Sequence, residues 1–235
     1  MPEYSPVDFQ VRLQTTYRPI FNERVARLEA PAALLARQYG FQLFLSQPGS
    51  LPISLLVCGL KPYAKTGGVY RETLPNLPPK YHAYLDEKWT TPYVPRVLHL
   101  IRHVQSCLLR VPVDPRQTLV TNWYFQRAED ARQLKIFGCE LPDTLPYHQR
   151  IITHYQPQVI LCVGNGKVNS AFAGMSMLFK VPETAWKTQN WQQRSQLKCF
   201  RTDKRLVVGV PHLSRYSPDT ELLQWLENLS SQMQS

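Results

Sequence analysis

Ile53-Ser-Leu-Leu-Val-Cys-Gly-Leu-Lys-Pro-Tyr-Ala-Lys-Thr-Gly-Gly-Val-Tyr70 decides the fold. Its first seven residues are an apolar run that stops at Gly59. A Pro, two adjacent Gly, two Lys and two Tyr follow. A short apolar run bounded by Gly and Pro reads as a buried strand feeding a loop. In open α/β sheets, ligands sit beyond the carboxyl ends of such strands. Gly59 to Tyr70 is therefore the first candidate site.

Two other runs behave alike. Gln117-Thr-Leu-Val-Thr-Asn122 reads as a second strand, and Pro157-Gln-Val-Ile-Leu-Cys-Val-Gly164 as a third. Leu197–Arg201 and Arg205–Val210 flank Thr-Asp-Lys and read as a hairpin or two adjacent strands. Between the strands lie helical patterns. Val94 to Leu109 keeps one apolar face, as does Leu145 to Tyr155, and a helix opens at Asn165 and runs to about Phe179. Ser217-Pro-Asp219 has the chemistry of a helix start, and Leu222, Leu223, Leu226 and Leu229 form the stripe behind it. Pro19 to Gly40 reads as helix broken near Ala30 by Pro31, and residues 1–18 as an irregular arm. Thr73 to Pro95 reads as a structured loop with a short helix near Tyr81 to Lys88, Ala128 to Leu141 as an insertion, and Pro182 to Arg194 as a polar loop. Alternating strands and helices predict a three-layer αβα fold with a mostly parallel central sheet of about four to five strands. One domain spans residues 1–235, with an N-terminal arm and helical region over 1–50 and the core over 53–230.

The chain carries 27 Lys and Arg against 17 Asp and Glu, a formal net charge of +10. The excess is spread along the sequence. A basic globular domain points to a polyanion, nucleic acid before an anionic membrane surface. The five cysteines are odd in number and form no C-x-x-C pair, which argues for a reducing compartment and against a zinc or iron–sulfur centre. His99 and His103 have metal-ligand spacing but no third ligand in view, so a solvated helix face is the expectation. The N-terminus has no secretory pattern and no apolar run is long enough for a membrane span. The expectation is a soluble, cytoplasmic, monomeric protein without cofactor or metal.

Nucleotide-binding motifs do not fit. Gly164-Asn-Gly-Lys-Val-Asn169 lacks a third Gly, and no acid ends the next strand. The sequence has no G-x-x-x-x-G-K-[ST] and no G-x-S-x-G. The ordered set of strand ends instead resembles the uracil-DNA glycosylase superfamily. Gly59-Leu-Lys-Pro62 resembles that family's Gly-x-(Asp/Asn)-Pro, and Tyr63 follows as in its classical branch. Thr66-Gly-Gly-Val-Tyr70 is similar to the Thr-Gly-Val-Pro-Phe of the single-strand-selective branch. Asn122 stands where the family reads the base, Pro157 to Gly164 matches its third strand, and His212-Leu-Ser214 resembles its His-Pro-Ser.

The resemblance implies a DNA glycosylase-like protein that flips a modified or deaminated pyrimidine and hydrolyses its N-glycosidic bond. Gly59, Pro62, Tyr63, Tyr70 and Asn122 would form the base site, with Tyr70 as stacking platform and the Asn122 amide reading the edge. His212 would stabilise negative charge on the leaving base. Lys65, Leu213, Ser214, Arg215 and Tyr216 would meet DNA, some entering the duplex as wedges and others holding phosphates. A base- or DNA-binding module on the same frame is the alternative.

Lys61 departs from the pattern. The family's Asp or Asn positions the attacking water and faces a sugar that becomes cationic. A protonated Lys about 4 Å from a unit positive charge costs about 4 kcal/mol at an effective dielectric of about 20, roughly three orders of magnitude in rate. Three resolutions are open. Lys61 attacks the sugar itself as a neutral amine. Another acid serves, Glu72 being nearest. Or Lys61 pairs with a phosphate and the protein binds without cutting. Leu213 for Pro, and Ala64 for the classical branch's His, are further departures.

Overall fold

A computed structural model of the chain describes residues 5–48, 51–65, 80–192 and 195–231. Its centre is a six-stranded sheet in the order β2-β1-β3-β6-β5-β4. The strands are β1 (Leu55–Gly59), β2 (Leu119–Asn122), β3 (Val159–Val163), β4 (Lys187–Trp191), β5 (Ser195–Arg201) and β6 (Leu206–Val210). β2, β1, β3 and β6 run parallel, and β5 and β4 add an antiparallel edge. The sheet is thus mostly parallel, and larger than the four to five strands expected.

Strand residues alternate between two apolar layers, as the period of two requires. Leu56, Cys58, Ile160, Cys162 and Val207 face one layer. Leu55, Val57, Leu161, Val163, Val208 and Val210 face the other. The first layer is covered by α1 (Pro6–Ala26), α2 (Ala30–Tyr39), α5 (Ala131–Ile136), α6 (Leu145–Tyr155) and α7 (Ala171–Leu178). The second is covered by α3 (Ala83–Asp86), α4 (Tyr93–His103), the π-helical turn Val104–Leu108 that continues it, and α8 (Thr220–Ser231). Helices on both faces shield a sheet whose parallel strands are buried throughout.

Four local readings need correction. The expected arm is helical. Ser5 accepts from Asp8 N–H as N-cap, Pro6 opens α1, and Phe9, Leu13, Tyr17, Phe21 and Val25 form a buried stripe spaced by four. Pro19 lies inside this helix rather than at its start. The expected polar loop 182–194 contains β4, an edge strand that buries only Trp191. The helix expected from Asn165 begins at Ala171, with Ser170 as its cap. Asp219, not Ser217, caps α8: its carboxylate accepts from Leu222 N–H at 2.9 Å and from the Trp191 indole at 2.9 Å. That contact ties the outermost strand to the last helix. Among the described residues no helix is long and apolar enough to cross a membrane.

Candidate functional site

In the parallel order β2-β1-β3-β6, chain direction across the sheet reverses between β1 and β3. Ligands of open α/β sheets bind beyond the carboxyl ends at such a reversal. Gly164, which follows β3, has φ of +113°, and a Cβ built there would meet nothing within 4 Å. Space is therefore open beside the reversal.

The strand-end residues meet on the other side of it. Gly59 and Asn122 are register partners in the β1–β2 ladder. A Cβ on Gly59 would overlap Asn122 Oδ1 and lie 3.8 Å from the Tyr93 hydroxyl. Glycine is needed because the Asn122 amide lies across this position. Asn122 is buried, and its Nδ2 has no hydrogen-bond partner among the described residues. A buried amide donor left unpaired costs about 1–3 kcal/mol, which makes Nδ2 a candidate contact for a ligand.

His212 reaches the same point through Tyr93. The two rings stack with centroids 5.2 Å apart and planes 21° apart. Ser214 N–H donates to His212 Nδ1 at 3.3 Å, and Ser214 Oγ lies 2.8 Å from the same nitrogen. In the neutral ring the proton is then on Nε2. One edge of the ring is open to solvent, yet partial burial, then the charges of Lys61 and Arg215, hold its pKa below the ordinary imidazole value. His212 is thus a neutral donor near pH 7, suited to a ligand oxygen that gathers negative charge.

Lys61 is half-buried and hydrogen-bonds the carbonyls of Ala128 and Glu129, the latter at 3.0 Å. Burial lowers its pKa to about 8, against the opposing pull of Asp130 and Glu129. It remains mostly protonated near pH 7. Its ammonium clips the segment after β1 to the segment after β2. Backbone bonds run alongside: Trp123 N–H to Gly59 O and Tyr124 N–H to Leu60 O, both 2.8 Å, then Ala64 N–H to Ala128 O, 3.1 Å. The expected insertion at Ala128 is thus, at its start, a wall of the site.

The remaining expected residues divide. Pro62 is buried beside this wall. Tyr63 is 58% exposed, with the Lys61 ammonium 5.8 Å from its ring centroid. Lys65, Ser214 and Arg215 are exposed. Leu213 is not: it is fully buried in the second apolar layer, and Arg96 holds its carbonyl at 2.8 Å. Its expected part as a wedge is corrected, because the side chain is committed to the core. Tyr216 is half-buried and tilts against Trp191. Tyr70 and Glu72 lie outside the described residues.

Two features escaped the sequence reading. Tyr93 starts α4 far from any motif, and only its packing reveals it. A cleft of about 740 Å³ adjoins His212 across Pro211, lined among others by Asn165, Lys167, Gln192, Gln196 and Lys198, with amides and amines and, among the described residues, no carboxylate in its lining. Of the His99–His103 pair, His99 is exposed, and His103 lies with Cys107 and Glu227, their candidate ligand atoms within 4.8 Å of one another. The chain matches no known protein-family profile and no curated protein sequence.

Proposed function

We propose that this chain is a DNA-binding protein of the uracil-DNA glycosylase type, which draws one altered or deaminated pyrimidine out of the stack and holds it at Gly59, Asn122 and His212. The carrying observation is the buried Asn122 amide, whose Nδ2 has no partner among the described residues and whose Oδ1 lies over Gly59 at the end of β1. Flipped bases are read by such hydrogen bonds to their edges. His212, neutral and carrying its proton on Nε2, stabilises charge on the departing base. The net charge of +10 and the carboxylate-free cleft beside Pro211 support an anionic strand as partner. The chain acts as a monomer. Five unpaired cysteines fit the reducing interior of a cell.

One observation favours a second reading, in which the base is held without being cut. The ammonium of Lys61 stands where the resemblance requires a carboxylate or amide, and it is bonded to two carbonyl oxygens. A protonated amine so engaged neither positions water nor attacks a sugar carbon.

The test is incubation with single- and double-stranded oligonucleotides carrying uracil or other altered pyrimidines, followed by alkaline cleavage at abasic sites and gel shifts over a salt series. Excision lost in His212→Ala, with normal folding, supports hydrolysis. A base-dependent shift without abasic sites selects the binding reading. No shift at low salt removes both, because phosphate contacts dominate such affinities.

A further inference from the structure

Tyr93 is tied to the site on three sides. Its ring stacks on His212. Its hydroxyl lies 3.8 Å from the point a Gly59 Cβ would occupy, the same point the Asn122 amide crosses. Its third tie is to Tyr84, a buried residue whose ring meets Tyr93 edge-on at 6.2 Å. The two hydroxyls are hydrogen-bonded to each other.

A phenol hydroxyl accepts one hydrogen bond while donating another, so the Tyr93 hydroxyl can hold Tyr84 and a ligand at once. Burial raises the Tyr93 pKa to about 12, so the phenol stays protonated through the physiological range. Asn122 Nδ2 and His212 Nε2 are donors as well. Beside these donors Asn122 Oδ1, the amide atom nearest Gly59, is an acceptor, so the three donors fit acceptor atoms of a ligand that can also offer a donor to Oδ1.

We infer that Tyr93 is both a ligand-binding donor of this site and the positioning residue of His212: its hydroxyl donates to an acceptor atom on the bound base, and its ring fixes the plane of the imidazole. The inference rests on the base-binding function proposed above for its ligand half only. The positioning half concerns the free protein. Tyr84 completes the device by fixing the Tyr93 hydroxyl. The groups facing His212 are Tyr93 from α4, Lys61 from the segment after β1, and Ser214 and Arg215 from its own loop.

Three variants test it. Tyr93→Phe keeps the ring and removes the hydroxyl, Tyr93→Leu removes the stack, and Tyr84→Phe removes the hydroxyl that fixes it. The first readout needs no ligand: His212 is titrated by NMR in the free full-length protein. Tyr93→Leu, by uncovering the imidazole, raises its pKa towards the ordinary value, and Tyr93→Phe leaves it close to wild type. The second readout is affinity for an oligonucleotide with one altered pyrimidine against its unmodified counterpart. Tyr93→Phe weakens the first about 2- to 10-fold, the size of one hydrogen bond, and leaves the second unchanged, with Tyr84→Phe in between. A His212 titration that is the same in folded Tyr93→Leu and wild type overturns the positioning role. Equal binding of the altered strand by Tyr93→Phe and wild type overturns the donor role. Should wild type itself show no preference for any altered pyrimidine, the function proposed above and the donor role fall together. The ligand-free titration then still decides the positioning role.

Discussion

The Asn122 side chain occupies the space that any side chain on Gly59 would need. The two residues are register partners at the ends of neighbouring parallel strands, so the ladder itself holds the amide over the glycine.

Gly59→Ala therefore acts on Asn122 before it acts on the fold. The overlapping atom is the end of a side chain, which can swing away, whereas the backbone is held by the ladder. Loss of stability stays within about 1–2 kcal/mol, the lower part of the usual overpacking range, while affinity for a base-bearing strand falls about tenfold. Urea melts alongside strand binding check this. Unchanged binding in Gly59→Ala would separate Asn122 from the ligand.

Lys61→Met removes a charge that depresses His212. The His212 pKa rises, and amides of residues 127–130 exchange faster as their clip is lost. Lys61→Asp, although it restores the residue type of the resembled motif, sets a carboxylate against the carbonyls of Ala128 and Glu129 and near Asp130. It yields no gain in base excision and a less stable protein. Increased excision in Lys61→Asp would show that this wall relaxes more readily than its contacts indicate.

Leu213→Ala costs about 3 kcal/mol, as deletion of a fully buried leucine does. Arg215→Ala, on an exposed side chain, leaves stability unchanged and reduces the salt dependence of DNA binding by about one phosphate contact. Thermal melts and a salt series on the two variants separate core from contact. An Arg215→Ala protein with an unaltered salt slope would place the DNA elsewhere.

Acid weakens this fold through His148. Its ring lies flat on Trp123, centroids 4.4 Å apart, and its Nε2–H donates to the Trp123 carbonyl at 3.0 Å. Burial lowers its pKa from an ordinary 6.5 to about 4. Between those values the unfolded chain binds a proton that the folded protein refuses. The stabilisation is complete above about pH 6.5 and is lost as pH falls towards about 4. At about pH 5 the loss is on the order of 2 kcal/mol. His148→Gln, which keeps a donor for the carbonyl but does not titrate, loses less on going from about pH 7 to about pH 5. Parallel loss in the two proteins would assign the acid sensitivity to other groups, such as buried His82.

The parallel strands were legible because burial on both faces leaves an uninterrupted apolar run, as in Leu55–Gly59 and Val159–Val163. Asn122 and His212 were legible with them, since each directly follows or ends such a run. β4 was not. Lys-Thr-Gln-Asn-Trp buries one side chain, and the strand exists because β5 pairs with it. α1 was hidden by Pro19, a helix breaker in isolation that this helix tolerates, while its stripe of aromatic and aliphatic residues binds it to the core. Tyr93 left no local signal. Its place depends on the start of α4 meeting Gly59 at the end of β1 and His212 beyond β6, a tertiary relation that no spacing encodes. The partners of Lys61 were hidden for the same reason: they are two backbone carbonyls far along the chain.

Backbone hydrogen bonding does not stop where β1 and β2 end. The rungs from Trp123 to Gly59, Tyr124 to Leu60 and Ala64 to Ala128 carry it outward along the segment that bears Lys61. The conformational entropy of this wall is therefore given up once, during folding, and not again at each encounter with a ligand. A ligand that meets this side docks against a wall already ordered, without paying for its ordering again.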